Sequence, residues 1–277
     1  MGLRHGSPSF LIPGAQKCGT TALAVFLDRH PRLVLATEKE PDFFLRDARY
    51  EGLGLDHYRS YFPRRRLPGR ELFFEASVAY LLSPLVPGRL AAFDPGLRFV
   101  VMVREPAARA YSAWNMYRRL STVPRERARF EAWLEDHNPP DRAAGIAMLE
   151  RKPFPSFAEA IEAELDAIER DGPAWTLPAL VAAGLYADQV ERFLRLFARE
   201  RFLIMEDREL AERPADALNR VLAFLELAPY DWGDDFPPVL VGDYAEPADT
   251  TVMQRLREFY AQPNRRFFEL AGESFDW

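Results

Sequence analysis

Short, continuously apolar runs alternate along the chain with longer stretches in which apolar residues recur every three or four positions. The first kind of pattern predicts strands at Ser9–Pro13, Leu33–Leu35, Glu71–Glu75, Arg98–Val103 and Phe202–Met205. The run RFVVMV at 98–103 is valine-rich and unbroken, as expected of a strand buried on both faces of a parallel sheet. The second pattern predicts helices. Thr20–Arg29 places Leu23, Phe26 and Leu27 on one face and ends at His30-Pro31. Ala107–Leu120 follows Pro106, which suits a first helical turn. Ser156–Arg170, Gly184–Ala198, Ala215–Leu225 and Thr251–Leu270 have the same spacing, the last with a break expected at Pro263. Strands alternating with helices predict an α/β fold. A P-loop-like three-layer α/β/α arrangement would surround a parallel sheet of about five strands, in one domain spanning 1–277. There is no internal repeat and no linker-like stretch.

Two segments break the alternation. Arg46–Arg70 holds seven arginines, Arg64, Arg65 and Arg66 consecutively, and Ser121–Pro155 is charged and contains prolines. Both read as irregular loops, either solvated or lying over a site.

Composition narrows the classes. With 277 residues, 48% hydrophobic and 28% charged, the chain can bury a sizeable core. A net charge of −6 gives no global attraction to nucleic acid or anionic membrane. Cys18 is the only cysteine, so an intramolecular disulfide and a multi-cysteine metal site are both excluded. No apolar run has the length of a transmembrane span, and the first one leads straight into a glycine loop. The expectation is a cytoplasmic protein.

That glycine loop, GAQKCGTT at 14–21, is a P-loop with its rule broken. Gly14 and Gly19 have the spacing of G-x-x-x-x-G-K-[ST], but Thr20 stands where the lysine belongs and Lys17 lies inside the loop. A strand, a glycine turn and a helix start still make an anion site, because backbone N–H groups converge on the positive end of the helix dipole. Thr20 and Thr21 add hydroxyl donors. A triphosphatase would also carry a metal-binding acid at the end of a neighbouring apolar strand. Here Arg104 follows that strand, with Glu105 next. The substitution predicts a second anion held by a guanidinium and no metal. Ser112, about two helical turns past Arg104, is placed to donate to the same anion.

The chain is identified by these segments as a member of the sulfotransferases that use 3′-phosphoadenosine 5′-phosphosulfate (PAPS). GAQKCGTT resembles their 5′-phosphosulfate loop, and VVMVREPAARAYSAW resembles their 3′-phosphate segment. HPRLVLATEKEPDFF, FFEASVAYL, GLYADQVERFLRLFARERFLIMEDREL and NRRFFELAGESFDW are similar, in the same order, to segments of the Golgi heparan sulfate and related bacterial carbohydrate sulfotransferases. The resemblance implies PAPS as co-substrate, bound through Gln16, Lys17, Cys18, Gly19, Thr20, Thr21, Arg104 and Ser112. Lys17 would meet the oxygen that bridges phosphorus and sulfur as charge grows on it.

The resemblance also places a catalytic base in Lys39-Glu40-Pro41-Asp42-Phe43-Phe44, where Glu40 matches and Glu38 and Asp42 are neighbouring acids. His57 is the rival, since histidine is the base in the distantly related cytosolic enzymes. Two departures stand out. Ala76-Ser77-Val78 replaces the family's lysine beside a serine-proline, and GDYAEPADTTVM replaces its C-terminal disulfide and nucleotide loop. The missing disulfide fits a cytoplasmic, bacterial-type enzyme. The implied acceptor is a hydroxyl of a carbohydrate, a lipid or a secondary metabolite, with an amine still open. The alternatives are a P-loop-type nucleotide kinase or triphosphatase, and an inactive nucleotide-binding protein of the same fold.

Overall fold

The structure, a computed structural model, describes residues 4–38, 40–65, 71–137, 142–175, 178–239, 244 and 247–277. The chain groups into two compact units, Met1–Arg104 with Arg192–Val241 and Glu105–Glu191 with Gly242–Trp277.

The first unit contains a five-stranded, all-parallel sheet. Its strands are β1 (Pro8–Ile12), β2 (Leu33–Leu35), β3 (Leu72–Ala76), β4 (Arg98–Val103) and β5 (Phe202–Glu206), in the spatial order β2-β3-β1-β4-β5. All five expected strands are present, shifted by at most one residue. They are legible because each is a short apolar run buried from both sides: Phe10, Leu11, Ile12, Phe74 and Phe99–Val103 are inaccessible to solvent. Phe10 and Phe74 stack across β1 and β3 at 4.8 Å. Phe99 is packed by Phe193, Phe197 and Phe202. Because β1 lies between β3 and β4, its C-terminal loop opens in the middle of the sheet, the usual position of a ligand crevice in open α/β sheets. Helix α1 (Thr20–Leu27) follows that loop.

The segment 46–65 is more ordered than the loop expected over 46–70. It forms two short helices, α2 (Asp47–Tyr50) and α3 (Gly54–Ser60), and Arg64–Arg65 pairs antiparallel with Arg4–His5. Tyr58 of α3 is fully buried against Phe43 and Phe44 at 4.9 and 4.7 Å, and this anchors the segment. Arg66 and Arg70 lie outside the described residues. A further helix, α4 (Val86–Phe93), carries Phe93 onto Phe44 and Tyr58.

The second unit is helical. Its frame is α5 (Pro106–Thr122), with α6 (Pro124–His137), α7 (Arg142–Glu150) and α8 (Phe157–Asp171) following. Over the described residues of 121–155, the expectation of an irregular segment is therefore corrected. Pro124 occupies a helix start, where its missing N–H is not needed, and Val123 before it is extended. The charges lie along the helix, Arg127 pairing with Glu131 one turn on at 2.7 Å, while Leu134 and Leu149 are buried. Ser156 and Glu159 cap α8 reciprocally. The expected helix 184–198 is a 3₁₀ turn at Ala182–Gly184 and then α9 (Tyr186–Leu194).

Two short elements of the first unit follow β5, α10 (Asp207–Glu212) and α11 (Pro214–Phe224). The last helix, α12 (Thr250–Ala271), runs unbroken through Pro263, which corrects the expected break. In the second unit Val252, Met253, Leu256 and Tyr260 of α12 pack with Ala107, Ala110 and Trp114 of α5 and Ile161 and Leu165 of α8. The loop 179–183 is satisfied by buried polar side chains: Glu164 accepts the N–H groups of Leu180 and Ala182, Tyr260 donates to the Val181 carbonyl, and Arg109 donates to that of Leu180.

Candidate active site

The loop after β1 is fixed to the end of β4. The Ala15 N–H donates to the Met102 carbonyl at 2.7 Å, and the Met102 N–H donates to the Gly14 carbonyl at 2.9 Å. A second tie, Leu81 N–H to the Pro13 carbonyl at 2.8 Å, holds its other side. Gly14 must be glycine here: at φ 151° a Cβ would meet Leu81 Cβ at 2.9 Å and the Val78 carbonyl at 3.0 Å. Gly19 precedes α1 in the left-handed region at φ 77°, and no side chain caps the helix. The first-turn N–H groups of Thr20 and Thr21 are thus offered to an anion. Lys17 is half-buried, also left-handed at φ 69°. The Gln16 side-chain oxygen is buried with no hydrogen-bond partner. Cys18 is fully buried, its thiol facing the Gln16 carbonyl at 3.6 Å, so its side chain packs the loop and only its backbone is placed to meet a ligand.

Arg104 stands two residues beyond the Met102 clamp, so the loop and Arg104 follow the C-terminal ends of two adjacent central strands, β1 and β4. Its Nε lies 3.5 Å from an Asp207 oxygen at the start of α10. Asp207 was not among the expected site residues. A Cβ placed on Gly19 would lie 3.9 Å from the Asp207 Cβ, so this acid stands beside both the glycine loop and Arg104. Burial raises its carboxyl to about 6, against the opposing effect of Arg104. The signal for it in the sequence is the acid pair Glu206-Asp207 directly after the apolar run FLIM, where a parallel strand gives way to a helix. Glu105 is a helix cap: it accepts the Ala108 N–H at 2.6 Å and pairs with Arg257 at 3.2 Å.

The segment Glu75–Leu81 ties this loop to the turn that carries Glu40. The Ser77 N–H donates to the Ile12 carbonyl at the root of the loop at 3.2 Å. On its other side, the Ser77 hydroxyl accepts the Asp42 N–H at 3.3 Å, and the Tyr80 hydroxyl accepts the Phe44 N–H at 3.3 Å. Glu40 (φ 52°) and Asp42 (φ 47°) are both left-handed, a conformation that costs a residue other than glycine roughly 1–2 kcal/mol.

The three neighbouring acids have different surroundings. Glu38 is partly exposed, 3.7 Å from Arg49. Asp42 is buried 4.0 Å from Arg46, and burial, then Glu40, pushes its carboxyl well above the ordinary range. Glu40 is half-buried. The rival His57 has its Nε2 3.0 Å from the Tyr61 hydroxyl and its ring against Tyr61, as a packing residue would.

Ser112 belongs to the second unit. It is buried on α5, where its Oγ accepts the Tyr244 hydroxyl at 2.9 Å, and Tyr244 also stacks on Tyr111. Lys39 and most of residues 240–246 lie outside the described residues. Among the described residues, no three His, Cys, Asp or Glu side chains group to hold a metal ion, and no helix is long and apolar enough to cross a membrane.

A family model described as "Sulfotransferase domain" matches residues 7–232. The chain is 31% identical to heparan sulfate glucosamine 3-O-sulfotransferase 6 of Homo sapiens over 297 aligned positions, covering 99% of this chain and 75% of that protein. It is 30% identical to bifunctional heparan sulfate N-deacetylase/N-sulfotransferase 3 of Mus musculus, covering 80% of this chain and 23% of that protein. A crystal structure of a sulfotransferase from Alicyclobacillus acidocaldarius superposes with a TM-score of 0.66 at 25% identity, covering 98% of each chain.

Proposed function

The chain belongs to the family of PAPS-dependent sulfotransferases, and we propose that it moves the sulfuryl group of PAPS in line to a hydroxyl of an acceptor. One observation carries this reading: the backbone of Gly14 and Ala15, in the loop that holds Lys17, is hydrogen-bonded to Met102, two residues before Arg104. A nucleotide with a 5′-phosphosulfate and a separate 3′-phosphate requires two such cationic positions. In this assignment the uncapped start of α1 and Lys17 receive the 5′ end, and Arg104 receives the 3′-phosphate by forked hydrogen bonds. Ser112 keeps its assignment to that phosphate on the sequence resemblance alone.

The transfer forms a bond between the acceptor oxygen and sulfur and breaks the bond from sulfur to the bridging oxygen. That oxygen leaves on the 5′-phosphate, and Lys17 meets its growing charge, an effect whose loss costs roughly a hundredfold or more in comparable sites. Glu40 takes the acceptor proton. Its support is the Ser77 tie, which fixes the Glu40 turn to the root of the loop. Carbohydrate is the preferred acceptor class, because the relatives' names include glucosamine 3-O-sulfotransferases.

Calorimetry with 3′-phosphoadenosine 5′-phosphate (PAP), AMP and a chelator tests the nucleotide assignment. PAP should bind tightly with chelator present, and AMP much more weakly. Equal affinity for both, or a strict magnesium requirement, would defeat it. For the base, Glu40→Gln should lower transfer by roughly a hundredfold or more while PAP affinity stays near that of the unaltered chain.

A further inference from the structure

Resting on the reading of Glu40 as base, we propose that the buried Glu75 is a positioning residue for the reaction: through the Ser77 and Tyr80 hydroxyls it holds the turn that aims Glu40.

Glu75 sits on β3 with its side chain out of solvent. Its oxygens are met by hydroxyls. Tyr58 donates to Oε1 at 2.7 Å, Ser77 donates to Oε2 at 2.7 Å, and the Tyr80 hydroxyl is also within hydrogen-bonding reach. Each hydroxyl has a single proton. When that proton points at Glu75, the oxygen's lone pairs are left to accept from elsewhere. Those of Ser77 and Tyr80 accept the N–H groups of Asp42 and Phe44, two and four residues beyond Glu40. The carboxylate thus sets the direction of both hydroxyls, and the hydroxyls hold a turn containing two left-handed non-glycine residues. A turn of that kind persists only when its surroundings over-determine it.

Ionised Glu75 matches this network, because it accepts from every hydroxyl around it. Protonated Glu75 must donate, so one hydroxyl loses its acceptor and turns. The groups facing it are Tyr58 from α3, Ser77 and Tyr80 after its own strand, and Asp42 in the turn, with Glu40, Glu38 and Arg46 beyond. Burial, opposed by the three hydroxyls and reinforced by Glu38, raises Glu75 to about 7. Acidification through neutrality should therefore loosen the Glu40 turn without touching the phosphate loop.

The test uses the full chain in three forms: unaltered, Glu75→Gln and Ser77→Ala. In the unaltered protein the amide resonances of Asp42 and Phe44 should titrate together with a midpoint near 7, and in Glu75→Gln that titration should vanish. Turnover is read as PAP release from PAPS with a heparan sulfate oligosaccharide as acceptor, or with water where the oligosaccharide is not used. Glu75→Gln should lower kcat roughly 10–100-fold with KM for PAPS nearly unchanged, and remove the acid limb near neutrality. Ser77→Ala should do the same, and the double variant should be no worse than either single one. Unaltered kcat and pH profile in Glu75→Gln, beside an inactive Glu40→Gln, would overturn this inference and leave Glu40 as base. Full turnover in Glu40→Gln would overturn both. Should Glu75→Gln fail to fold, Ser77→Ala carries the test, and normal kcat with a normal profile there would overturn the inference.

Discussion

Lys17 and Arg104 are both cations of the proposed anion site, yet they are expected to fail differently. In the proposed assignment Arg104 addresses a phosphate that is unchanged by the reaction, so Arg104→Ala should weaken PAP binding by about 1.5–3 kcal/mol, the worth of a charged hydrogen-bonded pair. Lys17 is assigned by the same proposal to the oxygen on which charge develops. Lys17→Ala should chiefly lower kcat, by roughly a hundredfold. Equal losses of affinity alone in both variants would show that the roles are misassigned. Asp207 gives a third, opposite expectation. Its carboxylate lies 3.5 Å from the Arg104 Nε, where it would compete with the proposed phosphate. Asp207→Asn should therefore tighten PAP binding at pH 8. Near pH 5 the gain should shrink, because the acid, raised to about 6, is already largely neutral there. Looser binding at pH 8 would mean that Asp207 mainly orients the guanidinium. Lys17 and Arg104 could be singled out as candidates because one breaks a known spacing rule and the other stands where an acid is expected. Asp207 and Glu75 were not, since an acid at a strand end looks like any other until the fold shows what it faces.

Elements differ in how plainly their sequences announce them. The five strands were readable because burial on both faces leaves only apolar residues in each run. The region 121–155 misled because its prolines and charges look like loop chemistry, and a proline at a helix start is indistinguishable by composition from one in a loop. Helix α12 poses the reverse problem. Pro263 lies inside it and should break it, yet the helix continues to Ala271. Packing of Leu256, Tyr260 and Phe267, all buried, outweighs the lost hydrogen bond. Restoring that bond is a direct check: Pro263→Ala should raise unfolding stability by up to about 3 kcal/mol in urea titrations. A decrease would show that the ring itself is a packing element.

Over the whole molecule, the perturbed acids set stability against turnover. Glu75, Asp42 and Asp207 all have folded-state values above their ordinary ones of 4.5, 3.8 and 3.8. The folded chain therefore binds more protons than the unfolded chain between those limits, and stability falls as pH rises. Their contribution is complete below the ordinary values and is lost as pH climbs through about 6 for Asp207 and about 7 for Glu75. Melting temperature should accordingly decline from pH 5.5 to pH 8 while kcat rises, and Glu75→Gln should flatten both trends. A melting temperature that rises steadily to pH 8 would contradict the sign. The α/β class could be read from the alternation of patterns. The two-unit arrangement could not, because each unit is assembled from separated stretches and no linker marks the crossings at 104–105, 191–192 and 241–242.

The pairing of β4 with β5 has a consequence for the chain as it is made. Translation runs from one end, and 98 residues separate Val103 from Phe202, so the edge of RFVVMV has no partner until the second unit's first stretch has been synthesised. During that interval an unpaired apolar edge is a template for the same strand on a neighbouring nascent chain. A ribosome stalled near residue 150 should hold a product that binds chaperones and aggregates on release. One stalled late enough to expose Glu206 from the exit tunnel should hold a product whose sheet has closed.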